Sequence, residues 1–205
     1  MAVIVSHGFA PNERGQIATM YWEAFGQKLG RVMGPAPRAI TFIERVLDPT
    51  HALCARDTAG ILLGVAGFKT YEGALVAGTW RDLARHYGWI GSTWRVGLLA
   101  MLERDTENER FLMDGVFVHE NARGKGVGTL LLDAICDEAR ARGYKEVRLD
   151  VIDTNPRARA LYERKGFVAG DDQELGPLKY IFGFKSATTM IRITSRMHPS
   201  HGRAT

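Results

Sequence analysis

A run of alternating glycines, Arg123-Gly124-Lys125-Gly126-Val127-Gly128, constrains the fold more than any other part of the sequence. It follows the apolar segment Phe111–Val118 and precedes a helical pattern over 129–142. Glycine allows a tight turn and a close approach of the backbone to a ligand. A helix N-terminus adds unpaired amides and partial positive charge, which attract phosphate. We therefore predict a strand, a phosphate-binding turn and a helix, with a purely structural turn as the alternative.

The spacing of these glycines separates the turn from two other phosphate-binding motifs. A P-loop requires Gly-x-x-x-x-Gly-Lys-Ser/Thr, and Arg123–Thr129 does not match that pattern. The dinucleotide fingerprint is Gly-x-Gly-x-x-Gly near the start of a doubly wound fold. This chain instead has Gly-x-Gly-x-Gly beyond its midpoint. Neither motif applies.

The hydrophobic patterns predict one domain over 1–194, of α/β (α+β) class around a single mixed sheet. A polar, frayed tail follows at 195–205. We expect Asn12 to cap the first helix, and the segments on either side of the turn 57–60 to pair as an antiparallel hairpin. The expected strands are 3–5, 52–56, 61–69, 111–118, 146–152, 167–169 and 180–193. The expected helices are 12–29, 38–47, 129–142 and 156–165.

Residues 71–109 form the most distinctive segment, hereafter the insert. Two helical patterns lie within it. The first ends at Gly88 and the second follows a cap at Ser92. The first apolar face is Trp80, Leu83, Ala84 and Tyr87. The second is Trp94, Leu98, Met101 and Leu102. The insert is predicted to be a helical hairpin packed on the sheet, a wall of an acceptor site, or a homodimer surface.

A second motif, Asn155–Phe167, follows about 30 residues after the glycine-rich turn. Asn155 is suited to cap a helix and Pro156 to occupy its first position. The segment Val118–Gly128 resembles the acetyl-CoA-binding motif of the GNAT superfamily, Arg/Gln-x-x-Gly-x-Gly/Ala, with Arg123, Gly126 and Gly128 in the pattern positions. Asn155–Phe167 resembles the second signature, Asn-x-x-Ala-x-x-Leu-Tyr-x-x-x-Gly-Phe. Many members have proline where this chain has Glu120, outside the turn.

The resemblance implies a mostly antiparallel sheet flanked by helices, with the insert before the acetyl-CoA-binding strand. It also implies an N-acetyltransferase that moves an acetyl group from acetyl-CoA to a primary amine of a small molecule, peptide or protein by direct attack. A splayed strand at Val116–Val118 would stabilise the oxyanion through its amides. The implied cofactor-binding residues are Val116, Phe117, Val118, Arg123, Gly124, Lys125, Gly126, Val127, Gly128, Thr129, Asn155 and Tyr162. A non-catalytic acyl-CoA-binding or sensing module is the alternative, which the retention of Asn155 and Tyr162 disfavours.

Two residues are the expected catalysts. By the resemblance, Tyr162 donates a proton to the departing CoA thiolate. A phenol has a pKa of about 10 and a thiol of about 8.5, so this donor needs help, which nearby helix charge could supply. The base that takes the amine proton is less well determined. Asp114 is the first choice, although it could be a structural carboxylate, and His119, Glu120 and Glu72 are alternatives.

Strand alternation predicts which of these candidates face the acceptor. Asp114, Val116 and Val118 would share one face of their strand, and Gly115, Phe117 and His119 the other. Asp114 is favoured because it lies inside the strand. The helices of the insert are then expected to close over its face.

Composition excludes several classes of function. The net charge of +4 does not favour nucleic acid as a partner, nor a toxin that acetylates aminoacyl-tRNA. No apolar run has the roughly 18 residues of a membrane span, and no signal peptide is evident. Cys54 and Cys136 are expected to be buried free thiols, which favours the cytoplasm. The histidines lack metal-ligand spacing, and no serine-nucleophile elbow is present.

Overall fold

A mixed sheet organises the residues that the computed structural model describes, 2–102 and 111–194 without the side chains of 90, 94 and 98–102. Its strand order is β1-β2-β3-β5-β6-β8-β7, with the short β4 beside β3. Every recorded pair is antiparallel except β5 with β6. The strands are β1 (Val3–His7), β2 (Ala52–Asp57), β3 (Leu62–Thr70), β4 (Gly73–Ala74), β5 (Phe111–Val118), β6 (Glu146–Ile152), β7 (Val168–Glu174) and β8 (Ser186–Ile193). This arrangement confirms the predicted mixed, mostly antiparallel sheet.

Helices cover both faces of the sheet. They are α1 (Arg14–Met33), α2 (Ala36–Val46), α3 (Trp80–Tyr87), α4 (Trp89–Leu102), α5 (Val127–Ala141), α6 (Pro156–Arg164) and α7 (Lys179–Phe182). Cys54, Val65 and Phe117 belong to a core shared with α1, α2 and α7. Leu53, Ala66 and other side chains of the opposite face belong to a second core with α5 and α6. Alternation along each strand therefore produces two cores, one on each face.

The predicted β2–β3 hairpin is present. Its strands pair antiparallel from Ala52↔Gly67 onward. Oδ1 of Asp57 accepts the backbone N–H groups of Ala59 and Ile61, both at 2.9 Å, which fixes the turn. Both cysteines are free and buried, as predicted.

Four local predictions are wrong. Asn12 lies within a short 3₁₀ turn, Pro11–Glu13, and does not cap α1. Ser92 lies within α4, where its hydroxyl donates to the Trp89 carbonyl, so the helix begins before it. Helical spacing predicts that Leu130 lies on the apolar face of the helix over 129–142, but this side chain is 42% exposed. The segment before Ser186 is not strand, because 179–182 form α7, whose Phe182 is buried beneath α1.

The insert is anchored to the C-terminal end of α1. The Tyr87 hydroxyl donates to the Met33 carbonyl at 2.6 Å, and Nε of Arg95 donates to the Val32 carbonyl at 2.7 Å. Helix α3 begins at a reciprocal cap between Thr79 and Asp82 and ends before Gly88, as predicted. The second predicted apolar face, Trp94, Leu98, Met101 and Leu102, lies outside the described side chains, and the tail 195–205 lies outside the described residues.

Candidate active site

A gap opens in the middle of the sheet between β5 and β6. Among the described residues, these parallel strands pair only at Phe111↔Val147 and Leu112↔Arg148. β5 remains paired with β3 as far as Val118, and β6 with β8 as far as Ile152. The two halves of the sheet therefore diverge toward the carboxyl ends of β5 and β6. In α/β proteins, ligands bind in the crevice at the carboxyl ends of the strands, where the segments that follow two neighbouring strands lead away from each other.

The glycine-rich turn lies at the carboxyl end of β5. Gly124 and Gly126 have φ of 77° and 84°, a left-handed conformation that favours glycine. A Cβ atom on either residue would meet no other atom within 4 Å, so the turn leaves room for a ligand. Gly126 directly precedes α5, whose first amides have no partner within the helix. The exposed Lys125 lies beside them. The arrangement fits a pyrophosphate.

Arg123 is held close to the strand it follows. Its Nε donates to the Val118 carbonyl at 3.1 Å. The side chain is exposed, and this contact places its charge at the mouth of the gap. The guanidinium of Arg123 therefore lies at the glycine-rich turn, where the sequence predicted a positive charge.

Helix α6 follows the carboxyl end of β6 and faces the turn. Asn155 caps it as predicted, with Oδ1 accepting the Ala158 N–H at 3.1 Å. Nζ of Lys165 lies 2.6 Å from Oδ2 of Asp133 on α5. A Cβ on Gly128 would lie 3.9 Å from the Leu161 side chain. The fold therefore brings the two sequence motifs together on opposite sides of the gap.

Tyr162 points into the core below the gap and is 8% exposed. This core also includes Val116 and Val118 of β5. Burial raises the pKa of Tyr162 to about 12. The expected help from nearby helix charge is therefore wrong: the surroundings favour the neutral phenol, because burial disfavours the anion.

A β-bulge in β5 overturns the predicted strand facing. The register with β3 shifts between Gly67↔Gly115 and Phe68↔Met113, so Asp114 is the extra residue. Gly115 faces α1, because a Cβ there would overlap the Phe25 ring. The charge of Asp114 also acts on Tyr21 of α1. Asp114 therefore faces α1, opposite to its predicted companions Val116 and Val118, which lie in the α5 core.

The alternative bases lie either just after β5 or at the far end of α5. Nδ1 of His119 accepts the Asn121 N–H at 3.3 Å, which uses the ring as a cap just after β5. Glu120 is exposed on the next turn. Glu72 lies 3.5 Å from Nη1 of Arg142, at the C-terminal end of α5. The 15 residues of α5 separate it from the glycine-rich turn by about 22 Å.

Sequence reasoning missed three residues on the α1 face of the gap: Tyr21, Lys28 and Asp150. Burial, and to a smaller extent the Asp114 charge, raises the pKa of Tyr21. Burial lowers the pKa of Lys28, while Asp150 and Asp114 oppose that change. A lysine at helical spacing from Tyr21 and Phe25 is the signal that could have identified this cluster.

The comparison with protein families decides the assignment. The model of the Acetyltransferase (GNAT) family matches residues 15–167. The chain belongs to this family. The match includes nearly all of α1, the diverging strands β5 and β6, and both motifs.

This GNAT protein is also similar in sequence to two acetyltransferases and in fold to solved structures. It is 26% identical over 142 residues to an L-methionine sulfoximine/L-methionine sulfone acetyltransferase of Pseudomonas paraeruginosa, covering 69% of this chain and 64% of the relative. Over 51 residues it is 50% identical to a mycothiol acetyltransferase of Beutenbergia cavernae, covering 25% of this chain and 17% of the relative. The chain thus spans less than two thirds of either relative. A protein of Salmonella typhimurium, solved with its cofactor acetyl-CoA, superposes with a TM-score of 0.60 at 15% identity, covering 97% of each chain. An N-acetyltransferase of Staphylococcus aureus Mu50 superposes at 0.61 with 14% identity, covering 95% of this chain and all of the other.

No helix among the described residues has the length and hydropathy to cross a membrane. No group of three or more histidine, cysteine, aspartate or glutamate side chains in that part of the chain is arranged to hold a metal ion.

Proposed function

We propose that this GNAT protein is an N-acetyltransferase that transfers an acetyl group from acetyl-CoA to a primary amine by direct attack. The observation that carries the proposal is the divergence of β5 and β6 after two pairs, between the glycine-rich turn and α6. A thioester arm laid in that gap reaches the middle of the sheet while its pyrophosphate stays at the N-terminus of α5. The cofactor-binding residues remain those proposed from the sequence.

The proposed chemistry follows from the two faces of the gap. Amides of β5 at Val116–Val118 stabilise the oxyanion that forms when the amine attacks the carbonyl. Tyr162, on the α5 side, protonates the departing thiolate. Asp114, on the α1 side, takes the proton of the amine. Donor and base thus lie on opposite faces of the sheet, so they do not compete for one proton.

The test of cofactor binding is a matched pair of variants. Gly126→Glu places bulk and negative charge in the turn, so acetyl-CoA affinity measured by calorimetry should fall at least tenfold, about 1.4 kcal/mol. Gly143→Glu is the control, because Gly143 has φ of 82° and open space at the other end of α5. It introduces the same backbone strain and should retain affinity. Equal affinities in the two folded variants contradict the assignment of the turn.

Thiol release from acetyl-CoA with a panel of amines, followed by mass spectrometry of the products, distinguishes an enzyme from a non-catalytic acyl-CoA-binding module. Binding without thiol release for any amine supports the module. Release with an acetylated product supports the transferase and identifies the acceptor. We propose a small-molecule or peptide amine as acceptor, since the named relatives act on small molecules.

The remaining proposals concern the domain organisation, the cellular location and the role of the insert. We propose a single N-acyltransferase domain over 1–194 with the insert at 71–109, acting in the cytoplasm, where two buried free thiols stay reduced. The exposed, edge-to-face aromatic pair Trp80 and Trp89 on the insert, with ring centroids 4.8 Å apart, supports a role for the insert in a homodimer or in acceptor binding.

A further inference from the structure

Lys28 lies on the face of α1 that packs against β5. Phe25, three residues earlier on the same helix face, lies where a side chain of Gly115 would be. Its ring centroid is 6.1 Å from that of Phe117. Nζ of Lys28 lies 5.8 Å from the centroid of the Phe184 ring. The amine therefore lies on the α1 side of the sheet and is partly withdrawn from solvent.

Two carboxylates border the gap at this level. Leu112↔Arg148 is the last recorded β5–β6 pair, and Asp114 and Asp150 are each the second residue after it. Oδ1 of Asp150 accepts the Thr189 hydroxyl at 2.7 Å, which orients it. Both charges act on Lys28. The lysine amine is therefore close enough to the carboxylates of both diverging strands for their charges to act on it.

We propose that the protein acetylates its own Lys28, an inference that rests on the proposed function. The neutral Nζ attacks the thioester carbonyl carbon, so that a C–N bond forms and the C–S bond breaks. Asp114 takes one amine proton and passes it to solvent. Tyr162 protonates the CoA thiolate and is reprotonated from solvent. The products are Nε-acetyl-lysine and the free thiol of CoA.

Two physical features favour this lysine over others. Burial lowers the pKa of Lys28, which increases the fraction of neutral, nucleophilic amine. Placement on the folded chain makes the attack intramolecular. Lys179 provides a comparison: its Nζ also lies over an aromatic ring, 5.1 Å from the Tyr180 centroid, but it is exposed on α7. Acetylation would replace an amine on which both carboxylate charges act with a neutral amide.

The experiment incubates the full chain with acetyl-CoA and no acceptor, and follows each lysine by peptide mass spectrometry. Lys28 should gain an acetyl group at least about 100-fold faster than Lys179, well within what proximity supplies. The rate constant should not change when the protein is diluted, as a reaction within one chain requires. Gly126→Glu should abolish the modification and Gly143→Glu should retain it.

The outcomes separate this inference from the proposed function. Lys28 acetylated no faster than Lys179, in protein that binds acetyl-CoA and acetylates an amine of the panel, overturns this inference alone. Equal modification of Lys28 in Gly126→Glu and Gly143→Glu also overturns it, because the reaction is then chemical acetylation from solution. If calorimetry detects no acetyl-CoA binding to the wild-type protein, the proposed function and this inference both fail.

Discussion

Tyr162 shows how burial alone sets the protonation state of a candidate acid. Its phenol lies in the core beneath the gap, and its pKa is raised to about 12. At neutral pH the group therefore keeps its proton. A phenol with this pKa is a much weaker acid than a thiol, whose ordinary pKa is about 8.5, so burial makes Tyr162 a weaker proton donor than a solvent-exposed tyrosine.

Replacing Tyr162 with phenylalanine tests the assignment of the acid. Tyr162→Phe keeps the ring in the core and removes only the hydroxyl, so turnover should fall roughly 10²–10⁴-fold, the usual contribution of general acid catalysis. Acetyl-CoA affinity measured by calorimetry should change little. Turnover within twofold of wild type, when chemistry limits the rate, would mean that another group protonates the thiolate.

The pH dependence of kcat/KM in two variants tests whether Asp114 or His119 is the general base. Asp114→Asn removes the proposed base, so kcat/KM should fall most at low pH, where few acceptor amines are already neutral, and should recover as pH rises. His119→Ala should have little effect, because that ring caps the turn after β5. A pH-dependent loss in His119→Ala together with wild-type behaviour of Asp114→Asn would transfer the base to His119.

At the scale of secondary-structure elements, the bulge in β5 allows α1 to pack closely against the sheet. It turns Gly115 toward α1, where there is no room for a side chain beside Phe25. Gly115→Ala should therefore lower the free energy of unfolding by about 1–3 kcal/mol, as overpacking does. Denaturant titration measures this change.

Gly30→Ala is the matched control within α1. A Cβ on Gly30 would meet no other atom within 4 Å, and alanine is the better helix former. This variant should be unchanged or more stable by up to about 1 kcal/mol. Equal effects of the two substitutions would mean that α1 does not pack against β5 at Gly115.

Sequence patterns predicted the elements better than their relative placement. The bounds of β5 and β6 match the predicted 111–118 and 146–152, because apolar runs and turn residues are local signals. The bulge at Asp114 was missed, since it depends on the register with β3, which local alternation does not encode. α7 was missed because four residues are too few to show a helical period.

The candidate site divides in the same way. The turn and the cap at Asn155 were predictable, because glycine, proline and asparagine act on their own backbone. The cluster of Lys28 with Asp114 and Asp150 was not, because three elements distant in sequence contribute to it. Pattern recognition locates a motif, but only the fold shows which side chains lie opposite each other.

At the scale of the whole molecule, buried ionisable groups predict a loss of stability at high pH. Burial raises the pKa of Tyr162 and of Cys54 to about 12, and that of Tyr21 as well. The folded state then holds protons that the unfolded chain releases near its ordinary values of 9 to 10. Stability is therefore complete below those values and falls as pH rises through about 12.

Urea titrations at a series of pH values measure this loss. In Tyr162→Phe the fall in the free energy of unfolding between about pH 10 and 12 should be shallower by about 1.4 kcal/mol per pH unit. Tyr180→Phe, at an exposed tyrosine, is the matched control and should keep the wild-type slope. The same slope in all three proteins would contradict the assignment of buried, neutral Tyr162.

The sheet separates two hydrophobic cores, so substitutions in one core have little effect on the packing of the other. Substitutions that share no partner and lie more than about 7–10 Å apart act additively, so changes on the α1 face scarcely disturb the packing around α5 and α6. Substitutions in α1 and α2 can therefore accumulate while the packing of the glycine-rich turn and α5 is kept. Structural neighbours at 14–19% identity keep this fold, so most of the residues that build the two cores can change while the sheet and its two packed faces are retained.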